Sequence, residues 1–547
     1  LGDAVPDEHL GPAFLRHPAF PRPGNRLRSL RSGHAGWPRL VLCRRRRRHG
    51  RDIGHPRRLC LSRSTSLDAR TAAIFRDRLG DDLRLAGLWR LPGCGQMARH
   101  HDYHGVGLLH CLARAPLCIE TGIRYIRGDA GALNLRTRAG RNMTETVTKK
   151  PPLAGIRVIE LARVLAGPWA GQMLADLGAD VIKVENPDGG DDTRQWGPPF
   201  VEGADGENLS AAYYHAANRG KRSVTADLKS AEGQDLVRRL VSTADVVIEN
   251  FKLGGLVKYG LDYDSLRKVN PKLVYCSITG FGQNGPYASL AGYDYIVQGM
   301  SGFMSITGEP GGQPMKAGVA IADIFTGIYA VAAIEAALIH ALKSGEGQLV
   351  DMALLDVQSA VLANQNMNYL VSGEAPTRLG NAHPNISPYE VVPTADGYLI
   401  LAVGNDGQFR RLCTILGLET IASDERFATN KARVGNRGEV RRLVSTETLK
   451  WQKADLLKAC EENAVPSGAI NTIEEMFAHP QVQARGLRID LADAAGTVIP
   501  GVRTPVVLSE TPLRYIRPSP RLGEHQAEIL AELAEREKGI VVKKASS

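Results

Sequence analysis

The sequence predicts an α/β protein, a large doubly wound, Rossmann-like domain with a smaller α/β domain inserted into it. Three observations predict this. From residue 157 onward, short β-branched runs alternate with stretches whose apolar residues recur at helical spacing. The connections are short, which sets successive strands side by side and parallel, with helices on both faces. Between about residues 375 and 480 the alternation gives way to a hairpin followed by helices, and the chain re-enters the larger domain before TPVVLSETP.

RVIEL (157–161) is the first strand, followed by a turn containing AGP (166–168) and a helix, WAGQMLADLGA, which Gly178 is placed to end. DVIKVE (180–185) is the second strand. The helix SAEGQDLVRRLVSTA, the strand DVVIEN (245–250), a helix around Tyr263 to Val269 and the strand LVYCSI (273–278) repeat the scheme. IYAVAAIEAALIHAL (328–342) reads as a buried helix, because it is short for a membrane span and contains Glu335 and His340. QLVDMAL alternates as a strand and passes into a helical pattern at Leu355. YEVVPTADGYLILAVGN is a hairpin with Asp396-Gly397 at its turn, and GQFRRLCTILGL and WQKADLLKACEENAV are helices. The expected division is an extension over 1–142, the first part of the large domain over 143–374, the small domain over 375–480, and the return to the large domain with a C-terminal tail over 481–547.

The net charge of +10 conceals a division at residue 143. Residues 1–142 hold 27 arginines, no lysine and 11 acidic residues, a net of +16, whereas the rest of the chain has a net of −6. Arg44 to Arg48 suit a nucleic-acid-binding arm. Lysine neutralises phosphate about as well as arginine, however, so a working basic arm has no reason to exclude it. Arg, Gly, Pro, His and Cys without Lys is the signature of GC-rich DNA read out of frame, and ordinary usage begins at Met143 with MTETVTKKPP. The expectation is that residues 1–142 lie upstream of the true start or form a disordered arm, and that Arg44 to Arg48 are dispensable and poorly ordered. The cysteines of this segment, Cys43, Cys60, Cys94, Cys111 and Cys118, form no close pair, and His100, His101 and His104 have no cysteine pair to complete a zinc set. No metal site is expected. The remaining cysteines, Cys276, Cys413 and Cys460, together with the lack of an apolar signal core, suit a reducing cytoplasm and no membrane attachment.

Glu185 closes the second strand where a dinucleotide-binding fold carries its ribose-binding acid. The glycines argue otherwise: VLAGPWAG supplies only Gly167 and Gly171, with Pro168 between them, and no Walker sequence occurs. NAD is therefore not expected. Asp356, in LLDVQ, falls in the first turn of a helix, where the helix dipole favours the ionised carboxylate that a nucleophile requires. An aspartate there also serves as a cap, and spacing alone leaves both roles open; Asp351, in the preceding strand, is the nearby competitor.

LAGIRVIELARVLAGPWAGQMLADLGADVIKVENPDGGDDTR, NRGKRSVTADLKSAEG, ADVVIENFKLGGLVKYGLDYDSL, GEGQLVDMALLDVQSAVLANQ, RLGNAHPNISPYE and LGEHQAEIL follow one another in order. Together they resemble the class III CoA-transferase family, also called CaiB/BaiF or formyl-CoA transferase-like, over about residues 152–535. The resemblance implies transfer of CoA between carboxylic acids with Asp356 as nucleophile, coenzyme A entering as an acyl-CoA substrate, and neither metal nor NAD. It implies CoA contacts at Val164, Leu165, Asn186, Lys229, Asn250, Phe251, Lys258, Tyr293 and Asp294. In formyl-CoA transferase a glutamine stands at Leu165, an arginine at Asn186 and at Lys258, and a lysine at Ala291. Lys258 keeps the charge but loses the bidentate fork. The racemase branch uses a histidine where this chain has Tyr293 in GYD, and a phenol with a pKa of about 10 is a poor base. Tyr293 then lines the site or is a packed aromatic.

The implied partners are an acyl-CoA, a small carboxylic acid and a second copy of the chain in an interlocked homodimer, with no nucleic acid and no membrane. NAHPNISPY is similar to relatives acting on small dicarboxylates with succinyl-CoA. His383 within it contacts substrate or is structural, and ITGEPGGQP (306–314) is a covering loop or an ordinary turn. A racemase, a nucleic-acid-binding protein and a non-catalytic acyl-CoA binder are the competing readings.

Overall fold

The computed structural model describes residues 149–204 and 206–538. Arg44 to Arg48, the N-terminal cysteine and histidine groups and Met143 lie outside the described residues. The strands of the larger region are β1 (Arg157–Glu160), β2 (Asp180–Glu185), a small hairpin of β3 (Phe200–Glu202) and β4 (Asn208–Ala211), β5 (Arg222–Thr225), β6 (Val246–Glu249), β7 (Val274–Thr279) and β8 (Leu349–Ala353). Six of them form one parallel sheet in the order β5-β2-β1-β6-β7-β8. The chain runs outward from β1 through β2 to β5, then crosses to the other side of β1 and continues through β6, β7 and β8. The direction of winding therefore reverses between β1 and β6.

Because a parallel sheet is covered on both faces, its strands are apolar almost without interruption. Side chains alternate between faces. Val158, Val246, Ile248, Val274 and Cys276 pack under the helices Ala166–Asp176 and Ile321–Ser344. Ile159, Ile182, Val224, Val247 and Tyr275 pack on the opposite side, with Leu236, Val237 and Leu240 of the Ala231–Val241 helix and Ile529 and Leu533 of the C-terminal Gln526–Glu537 helix. That last helix also fixes the sheet edge by charge, since Arg157 and Arg222 pair with Asp180 and Glu532.

Two local expectations are corrected. AGP is not a turn but the first turn of the Ala166–Asp176 helix; Pro168 fits there because the first helical N–H groups have no intrahelical acceptor to lose. The helix predicted over 328–342 runs from Ile321 to Ser344 and is buried on one side only. Ala322, Thr326, Ala330, Ile334, Ala337 and Ala341 face the core, whereas Ile328, Tyr329, Ile339 and Leu342 are exposed. By length and composition this helix is apolar enough to cross a membrane, although its inner face is packed into the sheet core.

The small region has its own antiparallel sheet of β9 (Tyr389–Thr394), β10 (Gly397–Ala402) and β11 (Ser467–Ala469). The hairpin loop is Ala395-Asp396, and Gly397 opens β10 at φ +146°. Its core joins Val392, Leu399 and Leu401 to Phe409, Leu412, Val440 and Leu456 of three helices. A final hairpin, β12 (Arg488–Ala492) and β13 (Val498–Val502), precedes the return to the large sheet.

Candidate active site

All six parallel strands end at one edge of the sheet, and in such folds ligands bind in the crevice where the winding reverses. The sequence-predicted residues fall along that edge. Lys229 follows β5, Asn186 follows β2, Val164 and Leu165 follow β1, Asn250 and Phe251 follow β6, and Asp356 follows β8. Six strands at the usual spacing spread this row over roughly 24 Å, a span suited to a long ligand.

Asp356 comes from a helix, Leu354–Ala360, that begins directly where β8 ends. Buried Leu354, Val357 and Gln358 hold that helix to the core and leave Asp356 exposed in its first turn. Among the described residues its carboxylate has no hydrogen-bond or ion-pair partner. The helix start is tied to the loop after β7, because Leu355 N donates to Gly280 O at 3.0 Å. Asp351, the competitor, is engaged in that same loop and accepts from Gln283 N at 3.0 Å. The bare carboxylate is Asp356.

The loop after β1 carries an unusual backbone. Val164 sits at φ +70°, a left-handed conformation that β-branched residues rarely adopt. Its N–H donates to both carboxylate oxygens of Asp191 at 3.2 Å. On the other side of the crevice, Asn250 accepts from Arg163 N at 3.0 Å and donates to Arg163 O at 2.7 Å. Asn250 therefore braces the loop, while Val164 is half exposed and Leu165 is buried in the core.

Behind the loop lies a buried ionic network. Lys183 donates to Ala162 O at 2.8 Å and pairs with Glu160 at 3.0 Å and Asp191 at 2.9 Å; Lys221 pairs with Glu160 at 2.8 Å. Burial alone would raise the Asp191 carboxyl, but Lys183 and the Thr193 hydrogen bonds outweigh it and hold it at about 2. Burial, opposed by Glu160 and reinforced by Lys183, brings Lys221 down to about 8. Glu185 is engaged by Arg194 at 2.7 and 2.9 Å and by Ser223, so it is not free to meet a ribose hydroxyl.

The other candidates are placed unevenly. Phe251 is partly buried, and its N–H donates to Glu249, whose carboxyl burial raises to about 6 against the hydrogen bonds of Ser277 and Phe251. Asn186 accepts from Asp188 N, Lys229 is exposed, and exposed Lys258 lies 4.7 Å from the ring of Tyr259. Tyr293 is largely exposed. Asp294 caps the Ile321–Ser344 helix, accepting from Ala322 N at 2.8 Å, and also binds Gln298. Beside it stands Asp323, which sequence reasoning missed; burial and the neighbouring Asp294 raise its carboxyl to about 7. An acid in the otherwise apolar first turn of this helix, AIADIF, was the available signal.

The 306–314 segment closes on itself as a turn, with Met315 N donating to Thr307 O, and Gly380 N docks on Gly308 O. His383 accepts from Asn385 N and packs against Tyr389, their ring centroids 5.2 Å apart.

Three comparisons bear on what this arrangement does. The CoA-transferase family III profile matches residues 153–526. A succinate–glutarate CoA-transferase of Agrobacterium fabrum is 81% identical over 391 residues, covering 72% of this chain and 98% of the relative. The human succinyl-CoA:glutarate CoA-transferase is 40% identical over 426 residues, covering 78% of this chain and 95% of the relative. A crystal structure of a CAIB/BAIF family protein from Brucella suis, 59% identical, superposes with a TM-score of 0.64 and covers 70% of this chain and all of that one.

Proposed function

The chain belongs to CoA-transferase family III, and from that premise we propose that it exchanges CoA between succinyl-CoA and glutarate through a thioester on Asp356. That it is a CoA-transferase with a dicarboxylic acid as acceptor follows from the relatives named above. The succinate–glutarate pair and the residue roles are our reading. The observation that carries the mechanism is the exposed carboxylate of Asp356, unpartnered among the described residues, at the strand-end edge of the sheet and one residue after the Leu355 N–H that Gly280 O accepts.

The Asp356 carboxylate attacks the thioester carbonyl of the donor. A mixed anhydride forms and CoA thiolate leaves. The thiolate then attacks the aspartyl carbonyl, giving aspartyl-CoA thioester and free succinate. Glutarate attacks this thioester, and the same two steps in reverse yield glutaryl-CoA and regenerate the carboxylate. Each tetrahedral intermediate develops an oxyanion, for which preorganised backbone N–H groups are the appropriate donors.

The active unit we propose is a homodimer in the cytoplasm. The outer face of the Ile321–Ser344 helix exposes Tyr329 and Leu342, and the Asn364–Ser372 helix exposes Leu370 and Val371, apolar side chains of the kind that protein interfaces cover. The free, buried Cys276, Cys413 and Cys460 suit a reducing compartment.

The test is to incubate the full chain with succinyl-CoA, trap with hydroxylamine and measure intact mass, alongside chromatographic detection of glutaryl-CoA when glutarate is added. We expect one hydroxamate per chain, absent in Asp356→Ala, and a fall in kcat of at least about 10³-fold in that variant. A hydroxamate that persists in Asp356→Ala rules out this nucleophile. Sedimentation of the same protein reads the dimer.

A further inference from the structure

Resting on that reading, we propose that Asp191 and Asn250 are positioning residues for acyl-CoA: together they hold the Arg163–Val164 peptide flipped, so that the loop after β1 presents an apolar edge to the pantetheine arm. The orientation of this peptide sets φ of Val164. Its oxygen accepts from Asn250 at 2.7 Å, and its N–H is held by Asp191 at 3.2 Å, so both polar atoms of one peptide group are fixed from opposite sides. Strained backbone persists only where its surroundings over-determine it, and the surroundings here do so. Asp191 is only 2% exposed and is itself fixed by Lys183 at 2.9 Å and by Thr193 N and Oγ1 at 3.0 and 2.7 Å. Lys183 also holds Ala162 O. Three consecutive residues, Ala162, Arg163 and Val164, thus each take a bond from a side chain that begins on β2, on the segment after it, or after β6.

The chemistry of the ligand segment follows. With its N–H and oxygen both engaged, this peptide has nothing left to offer a phosphate. The exposed Arg163 side chain is paired with Asp192 at 2.7 Å, so what this loop leaves at the crevice is the half-exposed Val164, a partner for methylene groups rather than for charge. Asn250 accordingly acts through the loop, not on CoA.

Calorimetric titration of the full chain with CoA, together with initial rates over succinyl-CoA and glutarate, tests this in a double-mutant cycle. Asp191→Asn should weaken CoA binding and raise KM for succinyl-CoA at least tenfold, with kcat and KM for glutarate changed less than threefold. Glycine adopts φ +70° unforced, so in a Val164→Gly background the same Asp191→Asn change should cost less than threefold. Asn250→Ala, at a half-exposed position, should repeat both results and serves where Asp191→Asn does not fold. An equal loss in both backgrounds overturns the proposal, as does a fall in kcat or in melting temperature with KM unchanged. Failure of the unsubstituted protein to bind CoA overturns the transferase reading and this inference with it; CoA binding that Asp191→Asn and Asn250→Ala leave intact overturns only this inference.

Discussion

Asp191 and Asn250 hold opposite ends of a single peptide group, the one between Arg163 and Val164, across the crevice where the sheet reverses its winding. The held conformation is unfavourable for an L-residue by about 1–2 kcal/mol. Val164→Gly removes that penalty and loses only a half-exposed side chain. Its unfolding free energy should therefore lie within about 1 kcal/mol of the parent protein. A loss of several kcal/mol in urea denaturation would show that the Val164 side chain, not the backbone, is what the fold requires.

Asp323 makes a pH prediction. Burial and Asp294 raise its folded pKa to about 7, above the unfolded value of about 3.9. The folded state thus binds the proton more tightly. The associated stability is fully present below pH 4 and is lost as pH rises through 7. Asp323→Asn cannot lose it, so the variant should gain on the parent between pH 4 and 7 and keep a constant advantage above that. Urea midpoints taken at steps of pH read this directly, and a difference that stays flat from pH 4 to 8 shows that Asp323 does not titrate there.

The sheet was legible in the sequence because its buried strands are near-continuous β-branched runs, whereas the strand-to-helix junction before Asp356 marked the position without deciding between nucleophile and cap, and only the family resemblance singled it out. Asp191 was not legible. It is one of three acids in DGGDD, and its role depends on a loop 27 residues earlier that reaches it only once β1 and β2 pair. Asn250 was singled out only through the family resemblance, as a CoA contact, and its bonds run to the Arg163 backbone. The Ile321–Ser344 helix was read as buried because its apolar run is short for a membrane span and holds Glu335 and His340; its exposed face went unread because Ile328, Tyr329, Ile339 and Leu342 are as apolar as the residues facing the core, which weakens the periodicity that marks a solvent face. AGP was misread because proline suits a turn and a first helical turn alike.

Lys183 is fully buried between Glu160 and Asp191. Replacing it with methionine keeps most of the volume but leaves two buried carboxylates with less positive charge to face, and breaking such a pair typically costs about 3–5 kcal/mol. The deficit should depend on acid. Asp191 is held at about 2, so its stabilising contribution is present above about pH 4 and lost as pH falls through 2. The gap between Lys183→Met and the parent, measured by urea denaturation, should accordingly narrow from pH 5 toward pH 2. A gap independent of pH would assign the loss to packing rather than to charge.

The start of the helix that carries Asp356 depends on two glycines. Gly280 O receives Leu355 N, and the backbones of Gly280 and Gly292 approach so closely that a Cβ on either would lie 2.3 Å from the other's Cα. Neither glycine is at positive φ, so what excludes a side chain is contact, not conformation. Because the obstructing atoms are backbone, relief requires the loop after β7 to move away from the segment leading into Asp294. Gly292 is the better test, since Gly280 directly follows the last residue of β7 whereas Gly292 lies well beyond the strand. Gly292→Ala should retain the secondary structure seen by circular dichroism while shifting the Gly280 carbonyl that fixes Leu355, and with it Asp356 one residue on. A misplacement of about 1 Å in a reacting group costs about 10²-fold in rate. The expected result is a fall in kcat of that order with KM for succinyl-CoA little changed; unaltered kcat would show that the proposed role of Asp356 does not depend on this contact.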